Sequence, residues 1–519
     1  MQKKLNRKQF SYVWRLVGIN LLVLIIFLGF YLIPGLSLNK GLGLLINKLP
    51  PTLICLAVVA IYASLVMFLY IKHNWFNALE TRLGKLKRPW KLYLIILGSL
   101  FVIFLILAWR RYANLGSGLF DFALEHQVVW NTSQGRLFVS GVEVANYLGD
   151  HVSLLTLIPS AIYSIIPTPL TLSAIQILCV LSSAYAIKLM ADSKIRSRVW
   201  SLLIFFLAVF YIGFSGLIIS EYRAVVLGFP FISFGLYFVE SRPQKRLGWV
   251  LLLLGALAKE DMAVLVGSIG LYQFLVNKQK RGAILAVLGY AWALFGVFVI
   301  IPMFRGAASD TLARYSFSSL LDINRLTYFV RLFFPLLFLP LLSWRKILVM
   351  LPNFALNLVS SHLGQYSAVN QYDLGTGLII FWAMIDVVGR IKVDKTKLHI
   401  LFVNLVVINL FLLSGHLAWR YVVSDMSRYQ DYQYLENVKA RIPTNAILAA
   451  TSTAGGIFGD RQSLQMFDDS VMTYEKQPDY IIIDKITDNK PQIEDMVLTK
   501  LNAGYIIWEE NKSFLILKK

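Results

Sequence analysis

Leu92–Trp109, LYLIILGSLFVIFLILAW, runs without a single charge between Lys91 and the pair Arg110-Arg111. At about 1.5 Å of rise per residue, a run of this length crosses the hydrocarbon core of a bilayer as one helix. Reading outward from it, about thirteen such spans are expected. The others centre on 16–36, 50–71, 169–190, 199–219, 224–239, 247–258, 262–276, 283–303, 326–343, 347–361, 374–389 and 398–418. The runs at 247–258 and 262–276 are short, so their helices are expected to continue through the polar residues between them. Composition agrees: 57% of the 519 residues are hydrophobic and 15% charged, whereas soluble domains carry about 25% charged residues. The expected fold class is an α-helical polytopic membrane protein. Its first apolar run is too long for a cleaved signal peptide and is read as a retained helix. Cys55 and Cys179 both lie inside apolar runs, which leaves no disulfide framework and no cysteine metal site.

The net charge of +21 would suit a nucleic-acid partner in a soluble protein. Here the basic residues sort into alternate loops, as a topology signal does. Lys3, Lys4, Arg7 and Lys8 precede the first span, and Arg82, Lys85, Lys87, Arg88 and Lys91 separate the second from the third. An N-terminus in the cytoplasm puts these and every later basic loop inside, provided that His151–Pro167 does not cross. That stretch is expected to lie at the outer interface as two short pieces, broken at Pro159 and ended at Pro167. From Arg420 to Lys519 there are 12 basic and 14 acidic residues, leaving an excess of about +23 in the membrane part. The tail is therefore expected to be a soluble extracytoplasmic α/β domain, with a helix at Tyr432–Ala440 and strands at Ala446–Ala450, Tyr480–Asp484, Gly504–Trp508 and Phe514–Leu517. The division is 1–90 as a two-helix membrane hairpin, 91–419 as a transmembrane module with a large outer loop at 110–168, and 420–519 as the tail domain. No nucleic-acid partner is expected.

The outer loops carry the polar residues most able to do chemistry. In Gly118-Leu-Phe-Asp121-Phe-Ala-Leu-Glu125, helical spacing puts Asp121 and Glu125 on one face. Such carboxylates can act as a general base or hold a divalent cation against a phosphate, or simply form the wet face of an interfacial helix. Asp150-His151 can be an acid/base pair, a phosphate contact, a metal ligand or a helix start. Glu221-Tyr-Arg223 offers a guanidinium that could clamp a phosphate or snorkel beside Glu221. Lys259-Glu260-Asp261 interrupts an apolar stretch, where charges are costly unless paired or facing water. His362, Gln365, Tyr366 and Tyr372-Asp373 add weaker polar signals on the same side. Gly455-Gly456 lacks a phosphate-loop ending and is read as a turn between strands. All the charged candidates fall on one side of the membrane, which suggests a single extracytoplasmic cavity.

In combination, Gly118-Leu-Phe-Asp121, Val129-Trp130-Asn-Thr-Ser-Gln-Gly135, Gly149-Asp150-His151, Lys259-Glu260-Asp261 and the strand through Tyr480-Ile-Ile-Ile-Asp484 resemble an uncharacterised family of predicted membrane proteins, domain of unknown function 2079. The likeness runs from about residue 100 to the end. That family is similar to the GT-C glycosyltransferases, which include protein mannosyltransferases and the aminoarabinose transferase acting on lipid A. The resemblance implies a GT-C-like fold and a sugar donor on a polyprenyl phosphate. It implies that Asp121 takes the place of the acid in the first outer loop, as base or donor-site ligand, with Glu125 and His151 beside it. In protein mannosyltransferases two prolines follow that histidine; here Val152 and Ser153 stand in their place.

On that resemblance, an inverting membrane glycosyltransferase is expected, moving a sugar to an extracytoplasmic lipid, glycan or protein acceptor. Asp121, Glu125 and His151 are the catalytic candidates, and Asp150, Glu221, Arg223, Lys259, Glu260 and Asp261 the substrate-binding ones. A divalent cation, Mg or Mn, would rest on Asp121 and Glu125. A transporter or flippase for lipid-linked glycans and a non-catalytic scaffold of envelope assembly remain as alternatives; the scarcity of charges along the spans disfavours the transporter.

Overall fold

The computed structural model describes residues 75–87, 89–142, 144–195, 197–307, 315, 322–368, 370–390, 426–467, 477–487 and 491–519. The spans expected at 16–36, 50–71 and 398–418 lie outside these residues, as does most of the hairpin expected at 1–90.

The opening stretch forms α1, Pro89–Ala113, with proline at the first position, where its missing N–H costs nothing. Its apolar side chains at Leu94, Ile95, Val102 and Ile103 are exposed, as suits a helix facing lipid. After the loop segment α2, Leu124–Ser133, and the short α3, Leu157–Tyr163, come α4, Pro169–Ile195, and a bent pair, α5, Arg198–Phe210, and α6, Ile212–Ile219. Then follow α7, Gly228–Ser241, α8, Arg246–Ala256, α9, Glu260–Leu275, and α10, Lys280–Phe295. The central helix α11, Leu374–Arg390, is buried along nearly all of its length. Where α9 crosses α10, a methyl group at Gly270 would lie 2.5 Å from the Ala286 nitrogen. Only glycine permits that backbone approach, as is usual where small residues let membrane helices touch.

Among the described residues five helices are long and apolar enough to cross a membrane, and up to seven if each bent pair counts as one. The runs read as separate spans at 326–343 and 347–361 form one pair, bent by 91° between Ile323–Leu336 and Leu339–Val359. Of the two short runs at 247–258 and 262–276, whose helices are expected to extend through the polar residues between them, only the second does so: α9 takes in Glu260 and Asp261, whereas α8 stops at Ala256. Lys259 is extended, with φ −170° and ψ 160°, so α8 ends before it and α9 starts afresh at Glu260. His151–Pro167 is short, as expected, yet Pro159 does not break it. Pro159 sits in the first turn of α3, where no backbone donor is needed.

The tail contains α12, Tyr429–Arg441, and a five-stranded sheet in the order β2-β1-β3-β5-β4. The strands are β1, Ile447–Ala450, β2, Ser463–Met466, β3, Tyr480–Asp484, β4, Ile506–Glu510, and β5, Phe514–Lys518. Parallel pairs join β1 to β2 and β3, and antiparallel pairs join β5 to β3 and β4. Strand β2 and a helix at Pro491–Asn502 were not read from the sequence. Gly455 and Gly456 are more than a turn between strands: they close a short helical segment that presses on the loop after α1. A Cβ at Gly456 would lie 1.9 Å from the Ser117 carbonyl oxygen, and one at Gly455 would lie 2.2 Å from Leu119.

Candidate functional site

The last turn of α1 turns Arg111 inward, where its Nε donates to the Gly116 carbonyl at 2.8 Å and its Nη2 lies 3.2 Å from Glu221 Oε1. The same carboxylate oxygen accepts the Gly118 amide at 2.7 Å. Chain direction is thereby fixed just before a wide π turn, Leu119–Ala123, which carries Asp121. Helix α2 follows at once and carries Glu125 in its first turn. The spacing argument therefore holds in its outcome, since both side chains line one cavity of about 570 Å³.

Around that cavity also stand Asp150, His151, Arg223 and Lys259. Six of the nine residues proposed from the sequence are thus brought together from four separate segments. Glu221 lies behind Arg223, 3.9 Å away, and supports it. Glu260 backs His151, its Oε2 lying 3.8 Å from Nδ1, while its Oε1 accepts the Val152 amide. Asp261 does not line the cavity; its carboxylate accepts the Met262 amide at 2.8 Å in the first turn of α9.

The carboxylates are tuned apart. Asp121 is 44% exposed and pairs with the Arg223 guanidinium. Burial alone would raise its pKa, but the charge and hydrogen bond of Arg223 hold it below the usual value. Glu125 is 5% exposed. Its Oε1 accepts the Tyr147 hydroxyl at 2.8 Å and the Ala224 amide at 3.3 Å, while Oε2 is buried without a partner among the described residues. Burial raises its pKa despite the nearby Arg223. Burial likewise pushes Glu260 up to about 7. Burial would lower the Lys259 pKa, but Asp261, Tyr372 and Glu260 raise it, so the ammonium stays charged, 5.4 Å from the Tyr372 ring.

Tyr147, Tyr372, Asn370 and His362 complete the wall. Tyr147 and Arg111 were missed in the sequence. Arg111 carried a usable signal, because it is a basic residue at the end of a span where the positive-inside pattern expects none.

Among the described residues no three His, Cys, Asp or Glu side chains converge as a metal cluster. Asp121 and Glu125 would be two protein ligands, leaving the rest to phosphate oxygens and water, as magnesium accepts.

The sequence profile described as predicted membrane protein, DUF2079, matches residues 111–513, which is most of the chain and all of this cavity. The chain belongs to that family. No curated protein sequence matches it. Among solved structures, this family member is similar to ArnT from Cupriavidus metallidurans bound to undecaprenyl phosphate, with a TM-score of 0.52 and 10% identity over 83% of this chain and 98% of that one. ArnT from Cupriavidus metallidurans in the apo state gives a TM-score of 0.49, with 11% identity over 76% of this chain and 93% of that one. At such identity the likeness of the first pair is one of fold: this DUF2079 chain has the fold of ArnT.

Proposed function

We propose that the protein transfers a sugar from a polyprenyl-phosphate donor to an extracytoplasmic acceptor, with inversion at the anomeric carbon. The observation that carries this reading is one cavity holding an ionised, accessible carboxylate, Asp121, beside two cations, Arg223 and Lys259. The undecaprenyl phosphate bound by ArnT, a protein of the same fold, supports a polyprenyl phosphate as the leaving group. The positive-inside pattern of the basic loops supports a cavity on the extracytoplasmic side, with the N-terminus in the cytoplasm and the tail domain outside.

In this reaction Asp121 accepts the proton of the acceptor hydroxyl or amine as the acceptor atom bonds to the anomeric carbon from the face opposite the phosphate. The bond from that carbon to the phosphate oxygen breaks, and its electron pair leaves with the polyprenyl phosphate. Arg223 and Lys259 offset the charge that develops there, fixed in place before the reaction begins. Glu125, pinned by Tyr147 and Ala224, positions the α2 end beneath Asp121. Asp150 and His151, whose Oδ2 and Nε2 are 3.6 Å apart, with Glu260 behind them, bind the acceptor side. A divalent cation on Asp121 and Glu125 would supply further charge for the phosphate. Arg223 already neutralises Asp121, and no step above depends on a metal.

The test is turnover by membranes containing the full chain, supplied with labelled polyprenyl-phosphate sugars. Release of polyprenyl phosphate supports the reading; its absence with every donor favours transport or scaffolding.

A further inference from the structure

A second cavity, of about 520 Å³, opens between the C-terminal end of α1, the start of α4 and the tail domain, and shares no lining residue with the first. Trp109, Tyr112, Tyr432, Glu436, Asp460 and Arg461 are among its walls. Arg461 is 1% exposed, and its Nε and Nη1 are buried without a hydrogen-bond partner among the described residues. The Tyr112 hydroxyl and Asp460 Oδ1 lack partners in the same way. Asp460 Oδ2 is taken by Lys439 at 2.7 Å, so that carboxylate is already compensated. Burial raises the pKa of Glu436, which favours its neutral form. What packs on the Arg461 guanidinium is the Phe458 ring, 5.1 Å away.

Buried polar atoms are nearly always hydrogen-bonded, and a desolvated cation without an anion is costly. Three residues with such atoms lining one cavity describe the ligand that would complete them. Water could serve Tyr112 and Asp460 but would leave Arg461 only the charge of the neighbouring Asp460, which Lys439 already takes. The missing partner must bring an anion to two guanidinium N–H groups, a hydroxyl donor to Asp460 Oδ1 and a polar atom to Tyr112. Trp109, Tyr112 and Tyr432 add aromatic surface with a polar edge, on which the C–H face of a sugar ring can pack. We propose that this cavity binds a saccharide carrying a carboxylate or phosphate, with the anion on Arg461 and ring hydroxyls on Asp460 and Tyr112. The site is separate from the transfer cavity and does not rest on the glycosyltransferase reading.

The full chain in detergent would be titrated calorimetrically with glucuronate, glucose 6-phosphate, glucose and inorganic phosphate. The two acidic sugars bind, and glucose and phosphate bind at least about tenfold more weakly, the worth of one charge-assisted contact. Arg461→Met loses the acidic sugars by a similar factor while raising the Tm of the ligand-free protein, because a buried cation with two N–H groups lacking partners is gone. Asp121→Asn, in the other cavity, leaves this binding unchanged. Should Arg461→Met fail to fold, Trp109→Ala at the exposed rim replaces it and weakens the sugars while leaving inorganic phosphate unchanged. The proposal is overturned if glucose matches glucuronate, if phosphate matches glucose 6-phosphate, if none of the four binds, or if neither variant weakens binding.

Discussion

Glu221 accepts the Gly118 amide at 2.7 Å and thereby ties the turn that carries Asp121 to the segment that carries Arg223. One buried carboxylate holds both halves of the ion pair at the centre of the cavity, and Arg111 at 3.2 Å compensates it.

Removing Glu221 should therefore cost more than a surface charge does. Its side chain and that of Arg111 are each 10% exposed. Glu221→Ala removes one carboxylate from the buried Arg111 and the acceptor of the Gly118 amide, and is expected to lower stability by about 3 kcal/mol in a denaturant titration of the purified chain. Glu221→Gln keeps an acceptor for Gly118 and should lose less. Equal, negligible losses for both would show that the pair is not structural.

Arg223 is expected to set the protonation of Asp121 as well as to meet the phosphate. Arg223→Ala should lower kcat/KM on the order of a hundredfold. It should also move the acid limb of the pH–rate profile upward, because Asp121 loses the cation that holds its pKa down. Arg223→Lys should restore the position of that limb more fully than the rate, since a lysine cannot bind bidentately. A profile unmoved by Arg223→Ala would separate the two residues.

Glu260 gives stability a pH dependence of determinate sign. Its folded pKa is raised from 4.5 to about 7 by burial. The folded state then holds a proton that the unfolded chain has released, so the contribution is full below 4.5 and is lost as pH rises through 7. Between these limits wild-type stability should fall with rising pH, by on the order of 3 kcal/mol. Glu260→Gln should flatten that slope in unfolding experiments from pH 4.5 to 8; an unchanged slope would assign the dependence to another group.

The junction with the tail domain should not tolerate a side chain. A methyl group at Gly456 would sit 1.9 Å from the Ser117 carbonyl oxygen, and backbone cannot give way cheaply. Gly456→Ala is expected to cost about 2 kcal/mol and to reduce turnover, because the displaced loop leads directly to Asp121. Full activity in this variant would show that the tail domain does not brace the cavity.

What the sequence could tell depended on whether a signal was local. Asp121 and Glu125 could be paired because helical spacing is a property of one short segment, and Arg223 and Lys259 stood out as charges beside apolar runs. The grip of Glu221 on Gly118 joins positions 103 apart and has no local signature. Lys259-Glu260-Asp261 was legible as a charged outer turn, but a hydropathy reading does not show that the chain is extended at Lys259 alone and that α9 already begins at Glu260. Strand β2, Ser463–Met466, alternates polar and apolar residues over only four positions, too short a run to announce a strand without β1 beside it. Gly455 and Gly456 carry no sequence cue to the Leu119 and Ser117 against which they pack.

The central claim is that Asp121 takes the acceptor's proton during transfer from a polyprenyl phosphate. Its direct test is single-turnover release of polyprenyl phosphate by wild type and Asp121→Asn at equal expression, with labelled donor in excess of its binding constant. The account predicts that Asp121→Asn still binds the donor and loses turnover by at least about a hundredfold. Equal turnover by the two proteins would contradict it.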